Sequence, residues 1–215
     1  MRYGKYTSDQ IGMVLNSIGE DAVNRILAGE KPTVIFANLA STEAVEVKDK
    51  GWHEKDGVIY FNVTSDGTTG SEWIERLKKQ GYNVGNYAKG ILLSPDFKPT
   101  SGVTYEIAVL KGSLFPDDTR ITKNIRSKAD EMDLSKPNAE AACLIREKFS
   151  DEEIEAMGLQ CIIVMHEPIK DSDGDPSLLS ANRHGDGRWL GAYSDNPLHG
   201  WRHGSGFAFV ASQVS

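Results

Sequence analysis

The 45 residues that follow Lys170 contain neither lysine nor glutamate, although the chain carries 15 of each. At the upstream frequency of 30 in 170 residues, about eight would be expected in a tail of that length. Beyond Pro168 no helical pattern is legible. Gly, Asp, Asn, Ser and His dominate, with Trp189, Trp201, Phe207 and Phe209 as large apolar anchors. Phe207 to Val210 is the clearest strand there. The tail also keeps Arg183, Arg188, Arg202, several Asp and three of the five His. Composition leaves two readings open. Small polar and aromatic residues give recognition surfaces contact area at low entropic cost, and Lys and Glu are depleted at interface cores. The same small polar residues also favour turns.

Upstream, local cues are ordinary. Thr7 and Gln10 read as a capping box before Ile11, Val14, Leu15 and Ile18 at helical spacing. A second short helix carries Val23, Ile26 and Leu27, and strand-like runs follow at 33–36, 44–47 and 58–63. Residues 1–69 thus read as a small α+β module for docking or homo-oligomerisation, ending in the turn-rich Ser65 to Gly70. Residues 70–215 read as the main domain, with its core at 104–213. Ser71 is the expected N-cap of a helix carrying Trp73, Ile74 and Leu77. Thr104 to Leu114 reads as a strand. Asp118 is the expected cap of a helix with Ile121, Ile125, Ala129 and Met132 on one face. Pro137 suits the first turn of a helix with Ala141, Leu144 and Ile145 inward. Ser150 and Glu153 form a capping box, and Gly158 ends that helix. Cys161 to Met165 is a continuous apolar run, expected as a strand buried on both faces. The order is strand, helix, helix, short helix, strand, long loop-rich region, last strand.

A net charge of −7 argues against nucleic acid as partner, because phosphate binding needs a basic face. Two cysteines, Cys143 and Cys161, are too few for a disulfide framework and read as small core residues. No CxxC occurs, which argues against a zinc site. The N-terminus has no apolar signal region, and no segment approaches the roughly 18 apolar residues of a membrane span. A cytoplasmic location with no membrane partner is the default expectation.

Two segments carry a family resemblance. Leu134 to Glu147 (LSKPNAEAACLIRE) resembles the LPTEAEWEYA helix of formylglycine-generating-enzyme-type domains. Ser180 to Val210 (SANRHGDGRW, then NP, W and GFAFV) resembles the SANR…GFR ending of the same superfamily. That superfamily includes the variable proteins of diversity-generating retroelements, in which an error-prone reverse transcriptase mutates template adenines. The resemblance covers roughly the second half of the chain. It implies an α+β protein with a C-type lectin fold from about Thr104 onward, preceded by the small N-terminal module.

Asn codons mutated at adenine cannot yield Lys, Glu, Gln, Met or Trp. From Asp171 to Ser212 only Trp189 and Trp201 belong to that excluded set. The carry-over implies a scaffold of Trp189, Leu190, Pro197, Trp201, Gly206, Phe207 and Phe209. The exposed, diversified residues would be His184, Asp186, Gly191, Tyr193, Ser194, Asp195, Asn196, Leu198, His199, Arg202, His203 and Ser205. Trp189 and Trp201 read as buried scaffold, with stacking on a ligand as the alternative. Ala208 stands where the family usually has Arg.

Asp171, Asp173 and Asp175 match the first ligand positions of an EF-hand loop, but Pro176 and Asn182 occupy positions that need Gly and Glu. An Asx-rich turn is one reading and a calcium site completed by outside ligands is the other. His184, His199 and His203 could together hold a metal or do acid–base work, yet Gly200, Gly204 and Gly206 argue against the helix that would align the last two. His166 and Glu167 read as structural. Formylglycine generation would need cysteines late in the domain near the substrate groove, where neither Cys143 nor Cys161 is expected. The implied function is a non-enzymatic variable receptor without a cofactor, binding a protein or other macromolecule. The alternatives are an invariant enzyme or calcium-dependent carbohydrate binder on the same fold, and a structural protein assembled by its N-terminal module.

Overall fold

The computed structural model describes residues 51–185 and 187–214. The helices and strands expected before residue 51, and Asp186, lie outside the described residues. The chain separates into two compact units, Met1–Val47 and Lys48–Ser215. The strand-like run at 58–63, read from the sequence as part of the module at 1–69, pairs inside the larger unit. β1 (His53–Lys55) and β2 (Val58–Asp66) form a hairpin, and β2 pairs antiparallel with β4 (Ser101–Lys111) inside the larger unit. The two-residue turn is Asp56-Gly57, both at positive φ, the conformation a tight hairpin turn requires.

Helix α1 (Gly70–Lys79) is capped by Thr69, not by the expected Ser71. The Thr69 N–H donates to Glu72 Oε2 at 2.8 Å and the Glu72 N–H returns to Thr69 Oγ1 at 3.5 Å. This reciprocal box satisfies two helix-end groups at once. Then come β3 (Asn83–Val84), α2 (Asn86–Leu92) and, beyond β4, α3 (Thr122–Glu131). Asp118 does not cap α3; Ile121 sits at its N-cap and makes no side-chain bond. Helix α4 (Ala141–Lys148) begins too late for Pro137 to occupy its first turn. Helix α5 (Asp151–Ala156) carries the Ser150–Glu153 box as expected, and Gly158 follows it at φ 76°.

Strand β5 (Cys161–Val164) is wholly buried. It runs between β9 (Ser205–Val214) and β7 (Pro176–His184), which accounts for its unbroken apolar run. The expected loop-rich region is largely strand. β6 (Ile169–Lys170) pairs with β7, and β7 forms a long antiparallel hairpin with β8 (Gly187–Ser194). Its small polar residues hid the alternation, because Ser180 and Asn182 point inward where apolar residues are usual. Among the described residues the sheet order is β1-β2-β4-β9-β5-β7-β8-β3, with β6 beside β7. The result is a mixed α and β architecture around one long sheet.

Each sheet face has its own core. On one, Ile59, Phe61, Ile107, Val109, Ile162, Leu179 and Leu190 meet Trp73 and Leu77 of α1, Ile91 of α2, Ile145 of α4 and Ile154 of α5. On the other, Leu110, Ile163, Leu178, Phe207 and Phe209 meet Ile125 and Ala129 of α3 together with Trp201. Gly206 lets β9 lie close to this first core: a Cβ there would meet Val109 Cγ1 at 2.7 Å and Leu159 Cδ1 at 2.8 Å. Among the described residues no helix is long and apolar enough to cross a membrane.

Candidate functional site

Sheet register brings four residues into one row. Ser205 of β9 pairs with Cys161 of β5, Cys161 with Asn182 of β7, and Asn182 with Trp189 of β8. The next row is Phe207, Ile163, Ser180 and Gly191. Strand periodicity of two turns these rows toward the α3 face. The chain between β8 and β9 returns over that face. Trp201 anchors it, packing on Phe207 with ring centroids 5.5 Å apart, on Tyr193 at 5.4 Å and on His199 at 4.3 Å. Its indole N–H donates to Thr122 Oγ1 at 3.0 Å.

Between this returning chain, the row ends and α5 lies a cleft of about 960 Å³. Its floor and walls include Cys161, Asn182, Arg183, Tyr193, Trp201, Arg202 and Ser205, with Asp151, Glu152 and Glu155 along α5. Arg183 Nη1 donates to the Leu159 carbonyl at 2.8 Å and Nη2 lies 3.0 Å from Glu155. Asp151 lies 3.0 Å from Arg146, a fully buried guanidinium that also donates to the carbonyls of Asn182 and Phe149. Burial raises the Tyr193 hydroxyl above its usual pKa, with the Cys161 thiol beside it adding to the effect. Burial likewise raises the Cys161 thiol, so both stay protonated and neutral near pH 7.

The positions expected to be exposed divide into three groups. His184, Ser194, Asn196, Arg202 and His203 are exposed, and Leu198 is 73% exposed. Tyr193 and His199 are half-buried. Ser205, by contrast, is only 4% exposed, and the Cys161 thiol points at its hydroxyl. The Asp195 carboxylate lies against Arg126 at 2.9 Å with its side chain 8% exposed, out of line for a hydrogen bond, so the contact is coulombic. A Cβ at Gly191 would meet Asn182 Nδ2 at 2.3 Å, so a side chain there requires that amide to move. Ser205, Asp195 and Gly191 are therefore built into the support. Of the expected positions, His184, Tyr193, His199, Arg202 and Ser205 line the cleft.

Of the residues expected as scaffold, Leu190, Trp201, Gly206, Phe207 and Phe209 are buried. Trp189 is half-buried and packs edge-on to His184 at 6.3 Å. Pro197 is exposed, and its contribution is its carbonyl, which accepts from the Lys123 N–H at 2.9 Å. Cys161 lines the cleft. Cys143 is fully buried in α4. Asn182, Ser180, Arg183 and the acidic side of α5 were not singled out in the sequence. For Ser180, Asn182 and Arg183 the sequence signal was the SANR segment, and which face each takes depends on strand register; for α5 it was only the capping box.

Asp171 closes an Asx turn. Its Oδ1 accepts from the N–H of Asp173 at 2.9 Å and of Asp175 at 3.2 Å, and its Oδ2 from Ser177 at 2.8 Å. Burial opposes ionisation of Asp171, but these bonds outweigh it and hold its carboxyl below the usual range. Among the described residues no three His, Cys, Asp or Glu are grouped to hold a metal ion. His184 and His199 line the cleft, and His203 does not.

Comparison with family models, curated proteins and solved structures found no match.

Proposed function

We propose that this chain is a non-enzymatic ligand-binding protein. In this reading a C-type lectin-like scaffold of the formylglycine-generating-enzyme type displays a C-terminal surface open to diversification, as in the variable proteins of diversity-generating retroelements. One observation carries the reading: the stretch without Lys or Glu supplies β7, β8, the returning chain and β9, and with them most of the cleft. A compositional bias across the segment that builds most of one concave surface is what replacement at a binding surface would leave behind. The pairing of β4 with β9, and the placing of α3 and α4 between β4 and β5, support the lectin-like reading. The partner is a protein or other macromolecule, and binding energy concentrates in central aromatic and Arg contacts such as Tyr193 and Arg202.

The test lies in the encoding DNA. A nearby reverse-transcriptase gene is expected, with an imperfect repeat of the region encoding about Ala181 to Phe209 that differs only at adenines. A repeat differing at other bases, or no repeat, overturns the reading.

A further inference from the structure

We infer that His166 is an acid-operated latch at the foot of the returning chain, so that acid loosens one wall of the cleft. The inference rests on reading the cleft as a ligand surface, and it gives that surface a means of release. The pairing of β5 with β7 ends at Ile163 and Ser180, and β6 rejoins the same edge of β7 at Ser177. Between them no strand residue is paired with Leu179 on that edge, and a side chain fills the gap: the Leu179 N–H donates to His166 Nε2 at 2.9 Å. A backbone N–H can only donate, so the neutral imidazole keeps its lone pair on Nε2 and its proton on Nδ1. Nδ1 donates that proton to the Glu167 carbonyl at 2.6 Å. The ring is 1% exposed. A cationic imidazole has two N–H donors and no acceptor. Its Nε2–H would then face the Leu179 N–H, and the bond that bridges the two strands is lost.

The bridge supports the start of the returning chain. The Pro176 carbonyl accepts from the Asp195 N–H at 2.8 Å, and Ser177 pairs with Ser194. The Asp195 carboxylate lies 2.9 Å from Arg126 of α3. From there the chain carries His199, Gly200, Trp201 and Arg202 into the cleft wall. Charged groups face His166 from three elements. Arg126 of α3 opposes a second cation beside it. Glu167 follows in the chain, with Lys136 on its carboxylate. Asp171 accepts from Ser177 of β7 at 2.8 Å. Lys136 holds Glu167 below the usual carboxylate range; burial opposes the same shift at Asp171, but its hydrogen bonds outweigh it. These two therefore keep their charge between pH 7 and pH 5. His166 does not have that constancy once the segment opens. Burial holds its pKa at about 4 when closed, against 6.5 in water, so at pH 5 the opened form binds a proton that the closed form refuses. That linkage raises the opening equilibrium roughly twentyfold between pH 7 and pH 5.

Amide hydrogen exchange on the full chain, followed by NMR and divided by the intrinsic rate at each pH, tests the latch. The Leu179 and Asp195 amides are expected to lose about tenfold or more of their protection between pH 7 and pH 5, while the Ile107 and Val109 amides of β4 keep theirs. In His166→Gln the carboxamide oxygen still accepts from Leu179 but does not titrate, and the acid loss at Leu179 and Asp195 is expected to vanish. The latch is overturned if Leu179 and Asp195 keep their protection at pH 5. It is overturned if Ile107 and Val109 lose protection by the same factor, because the opening is then global. An unchanged acid response in His166→Gln also overturns it, because other groups then drive the opening. If His166→Gln does not fold, the comparison of Leu179 with Val109 in the natural chain decides. No ligand enters these measurements, so their failure leaves the ligand-surface reading standing, and a missing DNA repeat leaves the latch standing.

Discussion

Trp201 Nε1 donates to Thr122 Oγ1 at 3.0 Å, tying the chain before β9 to the first turn of α3. Backbone bonds run beside it. The Thr122 N–H donates to the His199 carbonyl at 3.3 Å, the Lys123 N–H to Pro197 at 2.9 Å, and the Trp201 N–H to Arg120 at 2.9 Å. The tail therefore caps a helix some 75 residues upstream. Thr122→Val leaves the buried indole N–H unpartnered and is expected to cost about 1–3 kcal/mol. Thr122→Ser keeps the hydroxyl and should lie near the unsubstituted chain. Urea denaturation measures both, and equal midpoints for Val and Ser would refute the role of the bond.

His166 makes stability fall with acid. It is 1% exposed; the Leu179 N–H donates to its Nε2 at 2.9 Å, and its Nδ1 donates to the Glu167 carbonyl at 2.6 Å. Burial pushes its pKa down to about 4 from 6.5, with the Arg126 charge adding to the effect against the opposing Glu167. A depressed histidine contributes stability that is fully present above its unfolded pKa. That stability is lost as pH falls from about 6.5 toward 4, because the unfolded chain binds the proton first. The shift corresponds to roughly 3 kcal/mol. Denaturation midpoints across this window should fall steeply in the natural chain and less steeply in His166→Gln. Parallel curves would sink the assignment.

Neighbouring tail positions should differ sharply in tolerance. Asp195→Ala removes the partner of Arg126, itself partly solvated, and is expected to cost about 1–2 kcal/mol, less than a fully buried pair would. Leu198→Asp, on an exposed side chain, should stay within about 0.5 kcal/mol. Thermal melts of the two variants test this, and similar losses would show that exposure does not govern replacement here.

The Asp171 turn is expected to hold without an ion. Asp171→Ala removes the acceptor for two backbone N–H groups and Ser177, and should cost on the order of 1 kcal/mol with or without calcium. A melting temperature raised several degrees by calcium and returned by chelator would instead assign an ion to this turn.

Local chemistry was legible in advance where both partners lie a few residues apart. The Ser150–Glu153 box, the inward face of Ile125 and Ala129, and the buried run of β5 all follow from short-range spacing. Thr69 shows the limit of such reading. Thr69 and Ser71 both precede the apolar stripe, and the reciprocal bond to Glu72 selects between them.

The sequence by itself determined that the described residues after Lys170 form no helix, that they carry the aromatic anchors, and that Phe207 and Phe209 belong in the core. Tertiary structure decided which tail residues face water. Ser205, Asp195 and Gly191 look as replaceable in sequence as Leu198 does. They are held by Cys161, Arg126 and Asn182, residues that only sheet register and the return of the chain over α3 bring near. The physical reason is that burial of a small polar residue depends on what packs across from it, and those partners are set by pairings far apart in the chain.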